Sequence, residues 1–155
     1  MARKILEIIV ILTLSNILVF SASAQQEDPV RQLMLKQFDR PEAKLTIAAV
    51  VIDSHYAIAS WIQDGRGGRA LLRNKHGAWS IILCSGESLR QSERLIQIGM
   101  GHELANRLAQ SLVKAEASLT AHDRHLLDTF EGDVLLDGGD HPTVNPQHNA
   151  QTHKH

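Results

Sequence analysis

The chain has 155 residues, 16 basic and 17 acidic side chains, a formal charge of −1 and 43% hydrophobic residues. That balance excludes bulk attraction to nucleic acid or to an acidic membrane, and the hydrophobic content excludes wholesale disorder. A single cysteine rules out an intramolecular disulfide framework, whereas nine histidines, four of them in the last fifteen residues, set this chain apart.

Residues 1–24 read as an export signal. Met1-Ala-Arg-Lys4 is a short basic start, Ile5 to Phe20 is nearly all apolar, and Ala22-Ser23-Ala24 is a small-x-small cleavage site. An apolar run of about 16 residues falls short of the ~20 that span a bilayer, and no cysteine follows the cleavage site. Cleavage is therefore expected after Ala24, leaving a soluble periplasmic chain with no membrane span. Residues 25–137 then form a single domain, and residues 138–155 a tail.

Asp28-Pro29 predicts a helix start, an N-cap carboxylate followed by a proline that forfeits no hydrogen bond. Val30, Leu33, Met34 and Phe38 fall on one face of that helix, and Asp39-Arg40-Pro41 ends it. Leu45 to Ile52 is rich in β-branched residues and reads as a strand, Asp53-Ser54-His55 as a turn, and Tyr56 to Ile62 as the returning strand. The polar stretch Gln63 to Gly68 reads as a loop into the strand Arg69–Arg73. Asn74-Lys75-His76-Gly77 then turns the chain into the strand Ala78–Cys84, completing an antiparallel meander.

Helical periodicity follows. Ser88 with Gln91 fits a capping box for a helix carrying Leu89, Leu95 and Ile96 and stopped by Gly99. Leu104, Leu108 and Leu112, with Ala105, Ala109 and Ala115 beside them, predict the longest helix over 103–118. Thr120 to Asp123 is a second capping box, opening a helix with Leu126, Leu127 and Phe130 that ends at Gly132. Val134 to Leu136 fits a short edge strand, and beyond Asp137 the loss of apolar residues predicts disorder. The order predicts an α+β fold: an N-terminal helix, a four-stranded antiparallel meander, three helices packed on the sheet, and a disordered His-rich C-terminal tail. Two layers are expected, with the helices on one sheet face.

Candidate chemistry starts in the tail. His141, His148, His153 and His155 are spaced for a flexible segment to wrap one Cu(II), Zn(II) or Ni(II) ion, and fit no structural zinc pattern. Cys84, at the end of an apolar strand, reads either as a small buried hydrophobe or as a soft thiolate ligand for Cu(I). Met100 and His102 add a thioether and an imidazole as further possible ligands, and nothing in the sequence sets them beside Cys84. His122, His125 and Asp128 share a helix face and read as solvated. His55 and His76 read as turn residues, and Trp61 and Trp79 as core. Arg66-Gly67-Gly68-Arg69 lacks the Lys-Ser/Thr and helix of a phosphate loop and reads as a hairpin loop with exposed arginines. There is no G-x-S-x-G, H-E-x-x-H or C-x-x-C, so hydrolase, metalloprotease and thioredoxin-like readings have no motif.

Phe38-Asp-Arg-Pro-Glu-Ala43, the run from Ala59-Ser-Trp61 to Gly65-Arg-Gly-Gly-Arg-Ala-Leu-Leu-Arg73, and Leu83-Cys-Ser-Gly86 together resemble the copper uptake system-associated proteins, a family of small exported bacterial proteins. The resemblance covers about residues 40–137 and the signal. It implies a cleavable signal, a domain with these motifs, a His-rich C-terminus and copper handling in the periplasm. Cys84 transfers as a motif position, and no catalytic residue set comes with the family. The resulting expectation is a non-enzymatic copper-binding or copper-delivery accessory, with the copper ion and a copper transport component as partners. The alternative is a small-ligand-binding or degenerate-enzyme domain of cystatin-like or NTF2-like type, whose curved sheet would enclose an apolar pocket.

Overall fold

The computed structural model describes residues 18–136, with side chains from Glu27 onward. The tail histidines His141, His148, His153 and His155, and most of the expected signal, lie outside the described residues. Helix α1 spans Leu18–Phe38, so it runs through the expected cleavage site and through Pro29 rather than opening at Asp28. Residues Ala22 to Glu27 include good helix formers, and Pro29 removes one backbone donor without ending the helix. Val30 and Met34, fully buried, and the half-buried Phe38 place one face of α1 on the sheet. Arg31 ties the helix down by donating to the carbonyl of Ile47 at 3.1 Å.

Five strands follow in neighbour order, all antiparallel: β1 (Thr46–Asp53), β2 (Tyr56–Gln63), β3 (Arg66–Lys75), β4 (Ala78–Ser85) and β5 (Asp133–Leu135). The loop expected over Gln63 to Gly68 is instead the two-residue turn Asp64-Gly65, with φ of 51° and 70°. Positive φ at both positions is the turn whose twist matches paired strands, and Asp-Gly is a preferred sequence for it. His76-Gly77 makes the same kind of turn between β3 and β4, with φ of 54° and 86°.

The two sheet faces bury separate cores. Ala57, Ala59, Ala70, Leu72, Ile81 and Cys84 face α1. Ile58, Leu71, Ile82 and Leu83 face the C-terminal helices α2 (Ser92–Gln97) and α3 (His102–Glu116), through Leu95, Ala105, Leu108 and Leu112. The sheet is thus covered on both faces, not in the two layers expected: α1 lies opposite α2 and α3. A bulge sets the facing within β4. Leu71 pairs with Leu83 and Leu72 with Ile81, which leaves Ile82 as an extra residue and inverts the alternation beyond it. Cys84 consequently shares a face with Ile81, three residues back.

The connection after β4 departs from its expected cap. Ser88 sits inside a 3₁₀ turn, Glu87–Arg90, and α2 starts at Ser92 with no side-chain cap at Gln91. The second cap forms as expected: Thr120 Oγ1 accepts from the Asp123 amide at 3.0 Å and opens α4 (Ala121–Leu127). That helix ends at Leu127 rather than Gly132. The chain then crosses the ends of β3 and β4 and returns as β5 beside β4.

Candidate functional site

The crossing depends on glycine. A Cβ at Gly67 would stand 2.7 Å from the Trp61 carbonyl oxygen and 3.0 Å from that of Leu126, and one at Gly68 would stand 2.9 Å from the Phe130 side chain. At Gly86 a Cβ would collide with the carbonyl oxygen of Phe130. These glycines let residues 126–130 pass against the sheet end. Arg66-Gly67-Gly68-Arg69 is therefore part of β3 and a bed for the returning chain, which corrects the hairpin-loop reading.

Arg69 is 1% exposed and Glu116, at the end of α3, is 2% exposed. Nε and Nη2 of Arg69 donate to Oε1 and Oε2 of Glu116 at 2.7 and 2.8 Å, the paired geometry that a guanidinium makes with a carboxylate. Its Nη1 donates to the carbonyls of Gly86 and Leu127 and to Asp128 Oδ1, at 2.9, 3.2 and 2.9 Å. Ser60 Oγ donates to Glu116 Oε1 at 2.6 Å, and Arg90 Nε stands 3.5 Å from Oε2. Burial alone would push the Arg69 guanidinium down, but the hydrogen bond and charge of Glu116, then those of Asp128, outweigh it and hold it above its ordinary value. The cluster joins β2, β3, α3 and the end of α4, and its groups are committed to one another.

A second polar chain fixes β5. Ser85 Oγ contacts Ser88 Oγ at 2.7 Å and donates to Asp133 Oδ1 at 2.5 Å, while Arg94 pairs with the other oxygen of Asp133. On the α1 side of the sheet, this returning segment walls one side of a partly open cavity of about 290 Å³. Phe38, Leu45, Trp61, Cys84 and Phe130 line it, with Val134 and Leu136 at the β5 side. Gln63 is the polar exception, and its amide nitrogen donates to the Phe38 and Ala43 carbonyls at 2.8 and 2.7 Å. Trp61 and Phe130 meet edge to face, 5.7 Å between ring centroids, and Trp61 Nε1 is buried without a hydrogen-bond partner among the described residues.

The sequence candidates are scattered. Cys84 is a buried free thiol in the cavity wall, pushed up to about 11 by desolvation, which makes it a poor nucleophile at neutral pH. Met100 belongs to the core on the other face of the sheet, and His102 is exposed in the first turn of α3, so the three are not brought together. His122 and His125 are exposed on α4, and Asp128 is bonded to Arg69. His55 and His76 are exposed at β turns. Trp61 and Trp79 are half-buried against the α1-side core. Among the described residues no group of three or more His, Cys, Asp or Glu is placed to hold a metal ion.

Sequence reasoning missed the Arg69–Glu116 pair and, beyond the apolar pocket of the alternative reading, which residues line the cavity. A signal for the pair exists: Glu116 continues the Leu108, Leu112 spacing, and a carboxylate on the buried stripe of a helix demands a buried partner. Compared with protein-family models, curated proteins and solved structures, the chain matches none.

Proposed function

We propose that the chain is a non-enzymatic, periplasmic copper-binding or copper-delivery accessory whose C-terminal tail captures the ion. The observation that carries this reading is the placement of four of the nine histidines at positions 141, 148, 153 and 155, interleaved with Pro, Thr, Asn and Gln. Several neutral imidazoles close together in sequence can gather round a divalent ion. The folded part supplies the scaffold that carries the tail, with β5 fixed to β4 two residues before Asp137. No helix among the described residues is long and apolar enough to cross a membrane. The resemblance to copper uptake system-associated proteins implies copper handling in the periplasm, and we take a copper transport component as the partner that receives the ion.

Metal analysis after equilibration with copper at neutral pH tests it, comparing the untagged protein with a version truncated after Asp137. Copper retained by the first and lost by the second supports tail capture. Equal retention by both moves the site into the domain, and none in either ends the copper reading.

A further inference from the structure

We infer that the free edge of β5 pairs with the β5 edge of a second copy of this chain across a two-fold axis, joining two five-stranded sheets into one. The inference is independent of the metal reading. It starts from where the unpaired backbone points. The Leu136 N–H donates to the Ile82 carbonyl at 2.9 Å. Bonding alternates along an antiparallel ladder, so Val134 also bonds toward β4, whereas Asp133 and Leu135 aim their N–H and C=O groups at the open edge. β5 is last in the sheet, and among the described residues no hydrogen bond fills those groups. Donors and acceptors at a two-residue spacing match another extended backbone.

The side chains agree. Val134, Leu135 and Leu136 are 45, 67 and 39% exposed, three consecutive apolar residues with no lysine, proline or bulge to deter pairing. The neighbouring charge, Asp133, is drawn back to Ser85 and neutralised by Arg94. The opposite edge, β1, is better guarded, since Ala48 is an extra, bulged residue there and Arg31 takes the Ile47 carbonyl.

Symmetry fixes the occupant and charge fixes the register. A two-fold axis perpendicular to the sheet sets two β5 strands antiparallel, so the outward groups of one copy complement those of the other. With Val134 on the axis, Asp133 of each copy lies opposite Leu135 of the other, and every outward group is bonded. Centring on Leu135 instead would set Asp133 opposite Asp137 of the second copy, like charges side by side. A contact this short buries less than the ~1,200 Å² at which standard interfaces begin, so the pair is reversible and no tighter than about micromolar.

Sedimentation equilibrium of the untagged full-length protein, with a metal chelator and from about 10 μM to about 1 mM, tests this. A reversible monomer–dimer equilibrium is expected. Leu135→Pro deletes an outward N–H but leaves the bonds of Val134 and Leu136 to β4, and should weaken the dimer about tenfold or more. Val134→Lys sets two ammonium groups opposite each other at the axis and should leave monomer, whereas Leu135→Lys meets Asp133 of the second copy and should still dimerise. Val113→Lys, at a residue as exposed as Val134 but on α3, should change nothing. A version truncated after Asp137 should dimerise like the full chain. Dimers with this variant pattern support the proposal. Monomer at every concentration overturns it, as do dimers indifferent to both Leu135→Pro and Val134→Lys. Dimers lost on truncation overturn it too, by assigning the contact to the tail. Loss with Leu135→Lys as complete as with Val134→Lys overturns the register.

Discussion

Arg69 on β3 and Glu116 at the end of α3 form a two-pronged ion pair, at 2.7 and 2.8 Å, with both side chains almost fully buried. Such a pair is weak evidence of net stability, because burying each charge costs nearly what the attraction returns. Breaking it is another matter, since the survivor stays buried and uncompensated. Arg69→Met and Glu116→Leu should each lower unfolding free energy by about 3–5 kcal/mol. Ser60→Ala, which removes one hydrogen bond to the carboxylate, should cost only about 1.5–3 kcal/mol. Urea unfolding of the three variants checks the order, and a loss below about 1 kcal/mol for either charge deletion would show that the pair does not hold the helices to the sheet.

The glycines separate two kinds of cost. Gly67→Ala pushes a methyl group into the backbone carbonyls of Trp61 and Leu126, and Gly86→Ala into that of Phe130, so each should destabilise by about 1–3 kcal/mol or displace residues 126–130. Gly101→Ala meets nothing within 4 Å and has an ordinary φ of −64°; its entropy gain is opposed by the preference for glycine over alanine at this N-cap, so it should stay within about 1 kcal/mol of neutral. Thermal melts of the three rank them. Equal effects at Gly101 and Gly86 would contradict the close crossing.

These same residues mark what the sequence made legible. Alternating β-branched strands, the turns at Ser54-His55 and His76-Gly77, the apolar stripe of α3 and the Thr120 cap are local properties, and each is where local chemistry puts it. The bulge at Ile82 is different: nothing in Ile81-Ile82-Leu83 marks which residue is extra, yet it decides that Cys84 faces α1 and not Met100. Arg66 to Arg69 look like a solvent loop because arginine and glycine are loop residues. Only the return of the chain at Leu126 to Phe130, some sixty positions later, buries Arg69 and requires the glycines. The cavity depends on that same return, so it too is a tertiary property.

Cys84 makes stability depend on alkaline pH. Desolvation pushes its folded pKa up to about 11, whereas an unfolded thiol titrates near ~8.5. The unfolded chain therefore loses its proton first as pH rises, so a contribution that is complete below about pH 8.5 is lost progressively toward pH 11. Its size is on the order of 2–3 kcal/mol. The difference in unfolding free energy between the native protein and Cys84→Ala should shrink across that window, since other alkaline titrations are common to both. A constant difference from pH 7 to 11 would contradict a buried neutral thiol, as would rapid stoichiometric labelling of the folded protein at pH 7.

The proposed copper capture by the tail should have the opposite dependence, on acid. Only deprotonated imidazole binds metal, and an unperturbed imidazole titrates near ~6.5. Each ligand must then release a proton that competes harder as pH falls, so copper affinity should drop steeply between about pH 7 and 5, more steeply the more imidazoles take part. Replacing His141, His148, His153 and His155 together by Ala should remove this binding. The described fold is built from residues before the tail, so the four changes should leave apo-protein stability within about 0.5 kcal/mol. Copper titrations at pH 7, 6 and 5, run beside urea unfolding of both proteins, measure the two effects separately. A quadruple variant that keeps full affinity at pH 7 sinks the tail assignment. Loss of both binding and stability would show instead that the histidines act through the fold.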